Sequence, residues 1–315
     1  MQTKPKRTVL VTGGAGFIGS HTVEELLDRG WKVRVLDNLS TGKTDNLAIN
    51  DPALDLVETD VTCAGSVASA MRGVDACLHL AAQVSVAASL EDPPRSASEN
   101  ILGFVNVLEA ARANGVRRVV CASSAAVYGE PSDLPLTEEA ALRPTSPYGL
   151  EKVVNEQYAA LYGRLYGMVV MALRYFNVYG PRQDPASPYA GVISRFVERM
   201  SHGETVSIFG DGRQTRDFVY VKDVARANVA ALEYGGDGVL NVASGREVNL
   251  LSLAELIGEI LGTEPRLEFL PERTGDIRHS CGAPTRIHEA LSIRADRSLR
   301  SGLEALVTSL NERER

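Results

Sequence analysis

Two side chains suited to proton transfer, Tyr148 and Lys152, stand four residues apart, a spacing that puts them on one face of a helix. A free phenol titrates at about 10 and is a poor base at neutral pH. An ammonium group beside it stabilises the phenolate and lowers that value. Pro144 and Pro147 precede the pair and discourage an earlier start, so a helix is expected over 148–166. Upstream, the apolar run Val116–Ala122 ends in Ser123-Ser124. A hydroxyl at the carboxyl end of a strand can hold a substrate's reacting oxygen beside the tyrosine. Tyr-x-x-x-Lys alone is common, and its weight depends on what accompanies it.

What accompanies it is a glycine-rich turn. The first apolar run, Thr8–Val11, leads into Thr12-Gly13-Gly14-Ala15-Gly16-Phe17-Ile18-Gly19, which satisfies both G-x-G-x-x-G and G-x-x-G-x-x-G. Glycines permit the tight turn and let backbone N–H groups approach a pyrophosphate, and the helix that follows presents its N-terminus to the anion. The turn has the preceding strand and following helix that a nucleotide site requires. The next strand ends at Asp37, eighteen positions after Gly19. A carboxylate there accepts hydrogen bonds from adenosine ribose hydroxyls and repels the extra phosphate of NADP, so NAD is the expected cofactor. Its oxidised nicotinamide would bring a second positive charge near Tyr148. Asp60 and Val61, after the third strand, can flank the adenine; Asp60 serves equally as a helix cap.

The elements that must position these groups alternate. Apolar strands at 8–11, 32–36, 55–58, 74–80, 116–122 and 168–173 are interleaved with helical patterns at 19–29, 64–72, 96–113 and 148–166. Strands apolar on both faces suit a parallel sheet covered on both sides. The expected fold is α/β: a doubly wound parallel Rossmann sheet with a second, smaller α/β substrate domain. The expected division is 1–174 for the nucleotide, with a return segment near 216–240, and 175–215 plus 241–315 for the substrate. Helices are expected at 192–202 and 251–261, and 262–300 reads as irregular. The crevice between the two parts is the default ligand site.

Composition removes several classes. The 315 residues are 44% apolar and 23% charged, enough for a sizeable core without metal or disulfides. With 33 basic and 40 acidic residues the net charge is −7, against a nucleic-acid partner. No apolar run approaches the roughly 18 residues of a membrane span, and the N-terminal apolar stretch is too short for a secretory signal. Cys63, Cys77, Cys121 and Cys281 form no C-x-x-C pair, so no metal site is expected. Cys77 and Cys121 read as buried thiols in a reducing, cytoplasmic setting. His79 reads as a packed strand residue.

Together these residues resemble the extended short-chain dehydrogenase/reductase family, specifically its sugar-nucleotide epimerases. The resemblance spans about residues 7 to 280, through TGGAGFIGSH (12–21), LDNLSTG (36–42), HLAAQVSV (79–86), SSAAVYGE (123–130), SPYGLEK (146–152), RYFNVYGPRQ (174–183), GDGRQTRDFVYVKDV (210–224) and RTGDIRHS (273–280). It implies NAD contacts at Gly13, Gly16, Phe17, Ile18, Gly19, Asp37, Asn38, Asp60, Val61, Ala81, Ala82, Asn100, Lys152 and Tyr175. It implies Tyr148 as base, Ser124 as its hydroxyl partner with Ser123 the second choice, and Lys152 as the third member. It implies a grip on the sugar nucleotide from Asn177, Val192, Arg216, Arg273, Asp276 and Ser280. Arginine suits a diphosphate because its planar fork bonds two oxygens at once. Each also has a plainer role: Asn177 closing a turn, Arg216 pairing with Asp211 or Asp217, Arg273 and Asp276 pairing with each other. A homodimer through helices 96–113 and 148–166 is implied as well.

The residues after the Ser pair separate the related chemistries. Similar 4,6-dehydratases carry Asp-Glu there and decarboxylases a Glu; this chain has Ala125-Ala126, which cannot transfer protons. The remaining expectation is NAD-dependent C4 epimerisation of a UDP-hexose through a transient 4-keto sugar. Small Ser280 leaves room for an N-acetyl group, so UDP-GlcNAc and UDP-GalNAc stand beside UDP-glucose and UDP-galactose. The alternatives are UDP-glucuronate 4-epimerisation, disfavoured by Asp184 after GPRQ, and another NAD-dependent dehydratase or reductase reaction.

Overall fold

The computed structural model describes residues 7–184, 191–272 and 277–313. The first half runs β1 (Thr8–Thr12), α1 (Phe17–Asp28), β2 (Lys32–Asp37), β3 (Leu54–Glu58), α2 (Ala64–Ala70), β4 (Ala76–His79), α3 (Val86–Glu91), α4 (Pro93–Ala97), α5 (Gly103–Ala113), β5 (Arg118–Ser124), α6 (Pro147–Tyr166) and β6 (Val169–Tyr175). The second half runs β7 (Asn177–Tyr179), α7 (Val192–Ser201), β8 (Val206–Phe209), β9 (Thr215–Tyr220), α8 (Val221–Glu233), β10 (Gly238–Val242), β11 (Glu247–Asn249), α9 (Leu250–Leu261), β12 (Leu267–Leu270), α10 (Thr285–Leu291) and α11 (Leu299–Arg313).

Seven parallel strands form the main sheet in the order β10-β6-β5-β4-β1-β2-β3. Successive residues of one strand serve opposite layers. Val9 and Val11 join Leu26 of α1 and Val224 and Ala227 of α8. Leu10 between them joins Val67 of α2 and Phe104 and Leu108 of α5. This is why the strands read as continuous apolar runs, and it makes the fold a doubly wound Rossmann sheet. Strand order reverses between β1 and β4, so the segments after them diverge and open a crevice at the carboxyl edge.

A smaller body lies beside this sheet. β11, β9 and β7 form one sheet and β12 pairs with β8 in another. Their helices close a separate core around Ile193, Phe196, Leu253, Ile257 and Leu303.

Three local expectations change. Region 262–300 is not irregular throughout, since it holds β12 and α10. β12 has four residues and α10 buries Ile287 alone, too little periodicity to read. The stretch 96–113 is not one regular helix: a π-helical turn, Ser98–Leu102, separates α4 from α5. α6 starts at Pro147, with Ser146 capping the Gly149 N–H at 3.1 Å; proline is favoured at a first helical position because its missing donor has no helical partner there.

Candidate active site

The crevice is a cavity of about 440 Å³ that reaches from the glycine turn to β7 and the start of α7. Gly13, Gly16 and Gly19 line it, with Phe17 and Ile18. Side chains are excluded from this turn. A Cβ on Gly19 would sit 2.0 Å from the Gly13 carbonyl oxygen, and one on Gly13, at φ +69°, would sit 2.7 Å from the Ala81 nitrogen. The backbone is therefore open to a phosphate group at the N-terminus of α1. Ala81 and Ala82, just past the end of β4, form the facing wall.

Asp37 lines the cavity at the end of β2. Its carboxylate accepts the Ala15 N–H and the Leu39 N–H, each at 2.9 Å. Each oxygen keeps further acceptor capacity, so the residue fits a ribose diol. Asn38 donates to Asp60 at 2.7 Å, and Asp60 also accepts from the Thr62 N–H and hydroxyl at 2.8 and 2.7 Å. Burial pushes the Asp60 carboxyl up, but these bonds outweigh it and the net shift is downward. Asp60 thus closes its own turn while lining the cavity beside Val61. Steric exclusion of side chains, a carboxylate at the strand end and facing small residues fit NAD.

At the cavity's middle, Tyr148 and Ser124 line the wall together, with the Ser124 hydroxyl near enough to favour ionisation of the phenol. Lys152 is one turn further along α6 and 2% exposed, its Nζ 5.6 Å from the Tyr148 ring centre and donating to the Ala122 carbonyl at 3.2 Å. Ser123 is engaged elsewhere: its hydroxyl donates to Glu156 at 2.5 Å. Glu156 in turn holds Arg174 through 2.9 and 2.7 Å bonds, and Arg174 donates to the Tyr128 hydroxyl at 2.8 Å. This buried network fixes α6 to the ends of β5 and β6 and leaves Ser124 as the hydroxyl beside Tyr148.

Tyr148 and Lys152 are both buried. Burial pushes the phenol up to about 12, against the pull of the Ser124 hydroxyl, and the Glu151 charge pushes the same way as burial. Lys152 is held down to about 8, chiefly by burial. Its ammonium is bonded to the Ala122 carbonyl and lies 5.6 Å from the Tyr148 ring centre, where a positive charge favours the phenolate. His79 is packed, as its strand position implies: it bonds Thr12 at 2.8 Å and stacks on Phe104.

Tyr175 lines the cavity and donates to Asn228 at 2.6 Å. Asn100 stands behind the open lining. It is 1% exposed and does not line the cavity. The π-helical turn rotates its amide inward, where it accepts from the Gln83 N–H at 2.9 Å and donates to the Gln83 carbonyl at 2.9 Å and to Glu151 at 2.6 Å.

The sugar-nucleotide set is less gathered. Asn177 and Val192 line the cavity. Arg216 does not; it lies on β9, with a guanidinium bond to the Thr215 carbonyl at 2.8 Å. Ser280 is buried outside the lining. Arg273 and Asp276 lie outside the described residues. Asp217 ties this region together. Its buried carboxylate accepts from the Ser244 N–H and hydroxyl at 2.8 and 2.6 Å, the Gly245 N–H at 2.9 Å and the Gly282 N–H at 3.1 Å. Gly282 is required there, since a Cβ would sit 2.6 Å from the Phe176 ring. Sequence reading missed Thr41, Thr59, Phe176 and Gln183 on the cavity wall; of these, Thr41, Phe176 and Gln183 lie inside quoted motifs and carried a signal.

The family model described as the NAD dependent epimerase/dehydratase family matches residues 9–243. The UDP-glucose 4-epimerase of Mycolicibacterium smegmatis is 42% identical over 305 residues, covering 95% of this chain and 96% of the relative. A solved UDP-N-acetylglucosamine 4-epimerase from Methanobrevibacter ruminantium, in complex with UDP-N-acetylmuramic acid, superposes with a TM-score of 0.95 at 38% identity, covering 98% of this chain and all of that one (100%). The Thermotoga maritima UDP-glucose 4-epimerase, solved with UDP-glucose, gives 0.93 at 40% identity with the same coverages, 98% and 100%. With its glycine turn, Asp37 and Ser124–Tyr148–Lys152 set on one cavity, the chain belongs to the NAD dependent epimerase/dehydratase family.

Proposed function

We propose that this protein interconverts the C4 epimers of a UDP-hexose with NAD as its resident cofactor. The carrying observation is the Ser124–Tyr148 hydroxyl pair on a cavity continuous with the glycine turn, followed by Ala125-Ala126 where a second acid or base would stand. Tyr148, as phenolate, takes the proton of the C4 hydroxyl while Ser124 holds that oxygen. When bound, NAD would supply hydride acceptance and return at C4, and its positive ring would add to the Lys152 charge that favours the phenolate. Tyr148 then returns the proton to the same oxygen after the 4-keto sugar has turned over. A single base suffices because the 4-oxygen is the common atom of both poses.

In this reading residues 1–174, with the return near 216–240, serve the cofactor, and 175–215 with 241–315 serve the sugar nucleotide. Asn177, Val192 and Arg216 grip the nucleotide together with Arg273 and Asp276. Both N-acetylated and plain UDP-hexoses are candidates: buried, small Ser280 supports the first, and relatives named for each type support both. A cytoplasmic homodimer completes the reading. It is supported by Leu102, Leu150, Leu161 and Leu165, exposed on the π-helical turn and α6, where a second copy would cover them. Among the described residues no helix is long and apolar enough to cross a membrane.

The reaction returns its cofactor to the starting state each turnover. Absorbance in the NADH band during turnover of UDP-hexoses should show no net accumulation. Steady accumulation with sugar nucleotide would replace epimerisation with a net oxidation.

A further inference from the structure

One buried carboxylate beside the reacting groups has no place in the mechanism above. Glu151 precedes Lys152 on α6 and is 4% exposed. Its Oε2 accepts from the Ser96 hydroxyl of α4 at 2.9 Å and from the Asn100 amide of the π-helical turn at 2.6 Å. Both partners are uncharged. Buried carboxylates are costly unless their hydrogen bonds are satisfied, so this one holds its donors firmly.

Those donors lead to the cofactor wall. Asn100 reads both the N–H and the carbonyl of Gln83, as a paired strand would, at 2.9 Å each. Gln83 also reaches Ser96 with its side chain at 3.5 Å. The residues flanking Gln83, Ala82 and Val84, line the cavity, as do Leu80 and Ala81. From the other side, Asn155 of α6 donates to the Asn100 carbonyl at 3.0 Å. The wall of residues 80–84 is thereby referenced to the helix that carries Tyr148 and Lys152.

We propose that Glu151 is a positioning residue: through Asn100 and Ser96 it fixes the 80–84 wall against the catalytic helix, and its negative charge stands beside Tyr148. This rests on NAD occupying the cavity and, for its pH arm alone, on Tyr148 as base. Other groups face the same pair. The Ser124 hydroxyl favours ionisation of the phenol. Lys152 lies 5.6 Å from its ring, and Tyr175, Cys121, Glu156 and His79 surround Tyr148 and Lys152 from β6, β5, α6 and β4. Glu99 of the π-helical turn is paired with Arg95 at 2.7 Å.

The test separates position from charge. Glu151→Ala removes both, and NAD titrated calorimetrically into cofactor-depleted protein should bind about tenfold more weakly, the size of one lost charge-assisted hydrogen bond. Glu151→Gln keeps the acceptor and loses the charge. Its NAD affinity should stay within about threefold of wild type, while the acid limb of the kcat/KM profile moves to lower pH by up to about one unit, because a phenol without a neighbouring anion ionises more readily. Ser96→Ala, the mildest change, should weaken NAD in the direction of Glu151→Ala and carries the affinity arm if that variant does not fold. Wild-type NAD affinity in Glu151→Ala or Ser96→Ala, or equal losses in the Ala and Gln variants, would overturn the positioning role. An unmoved acid limb in Glu151→Gln would overturn the charge role. The affinity arm needs no sugar, so failure of the epimerase reading leaves it standing.

Discussion

The two walls of the cavity are built differently. The cofactor wall comes from strand ends of one parallel sheet: Gly13–Gly19 after β1, Asp37 ending β2, Asp60 and Val61 after β3, Ala81 and Ala82 after β4. The sheet register aligns these ends, as in Val11 beside Val35 and Leu78, so local motifs arrive at one edge together. The opposite wall is assembled from β7, the start of α7 and Phe218 of β9, with Asp217 tying β9 to the Ser244-Gly245 turn and Gly282. One wall is a property of the sheet; the other is a property of a hub.

Tyr148, which both walls serve, gives the largest expected effect. Tyr148→Phe should lower kcat by about 10²–10⁴, the usual worth of a positioned acid–base group, while NAD titration stays near wild type. Loss of NAD binding would mean that the phenol belongs to the cofactor wall alone.

Acid stability separates the walls next. Burial holds His79, under the cofactor wall, down to about 3, with the Lys152 charge adding to it, and His21 down to about 4. An unfolded histidine titrates near about 6.5. The stability gained by keeping these rings neutral is complete above that value and is lost as pH falls toward the folded-state values. His79→Gln should flatten the fall of unfolding free energy between pH 7 and pH 4 by roughly 2–4 kcal/mol, a shift of a few units at about 1.4 kcal/mol each. A variant with an unchanged slope would show that His79 is not the titrating group.

On the sugar side, Asp217→Ala removes the acceptor of the four hydrogen bonds from Ser244, Gly245 and Gly282. Two or three of them lost in effect amounts to about 2–3 kcal/mol. KM for the sugar nucleotide should rise at least about tenfold with NAD affinity unchanged; equal losses for both ligands would erase the distinction between the walls. Ser280→Tyr is the finest probe. It should lower kcat/KM for N-acetylated UDP-hexoses about tenfold more than for plain ones, the scale of a steric misfit in a pocket. Equal loss would remove Ser280 from substrate discrimination.

The same contrast explains what could be read in advance. The glycine turn, Asp37 and the Tyr–Lys pair are legible because each is a local pattern tied to a strand end or helix face. The resemblance already put Ser124 before Ser123, but the reason needed the fold, because only the approach of Glu156, itself bonded to Arg174, engages Ser123. The bonds of Asn100 to Gln83 and Glu151 were not legible, because a π-helical turn leaves no distinctive spacing. Arg216 shows the same limit: its place in a strand is readable, but which side of β9 meets the cavity follows from pairing with β7 and β11.

The central claim is tested most directly by incubating the NAD-loaded protein with UDP-glucose, UDP-galactose, UDP-GlcNAc and UDP-GalNAc in turn and separating the sugar nucleotides formed. The account predicts that at least one C4 pair interconverts from either side to one equilibrium ratio, with no added reductant. Products that have lost water or carbon dioxide, or no interconversion of any pair, would contradict it.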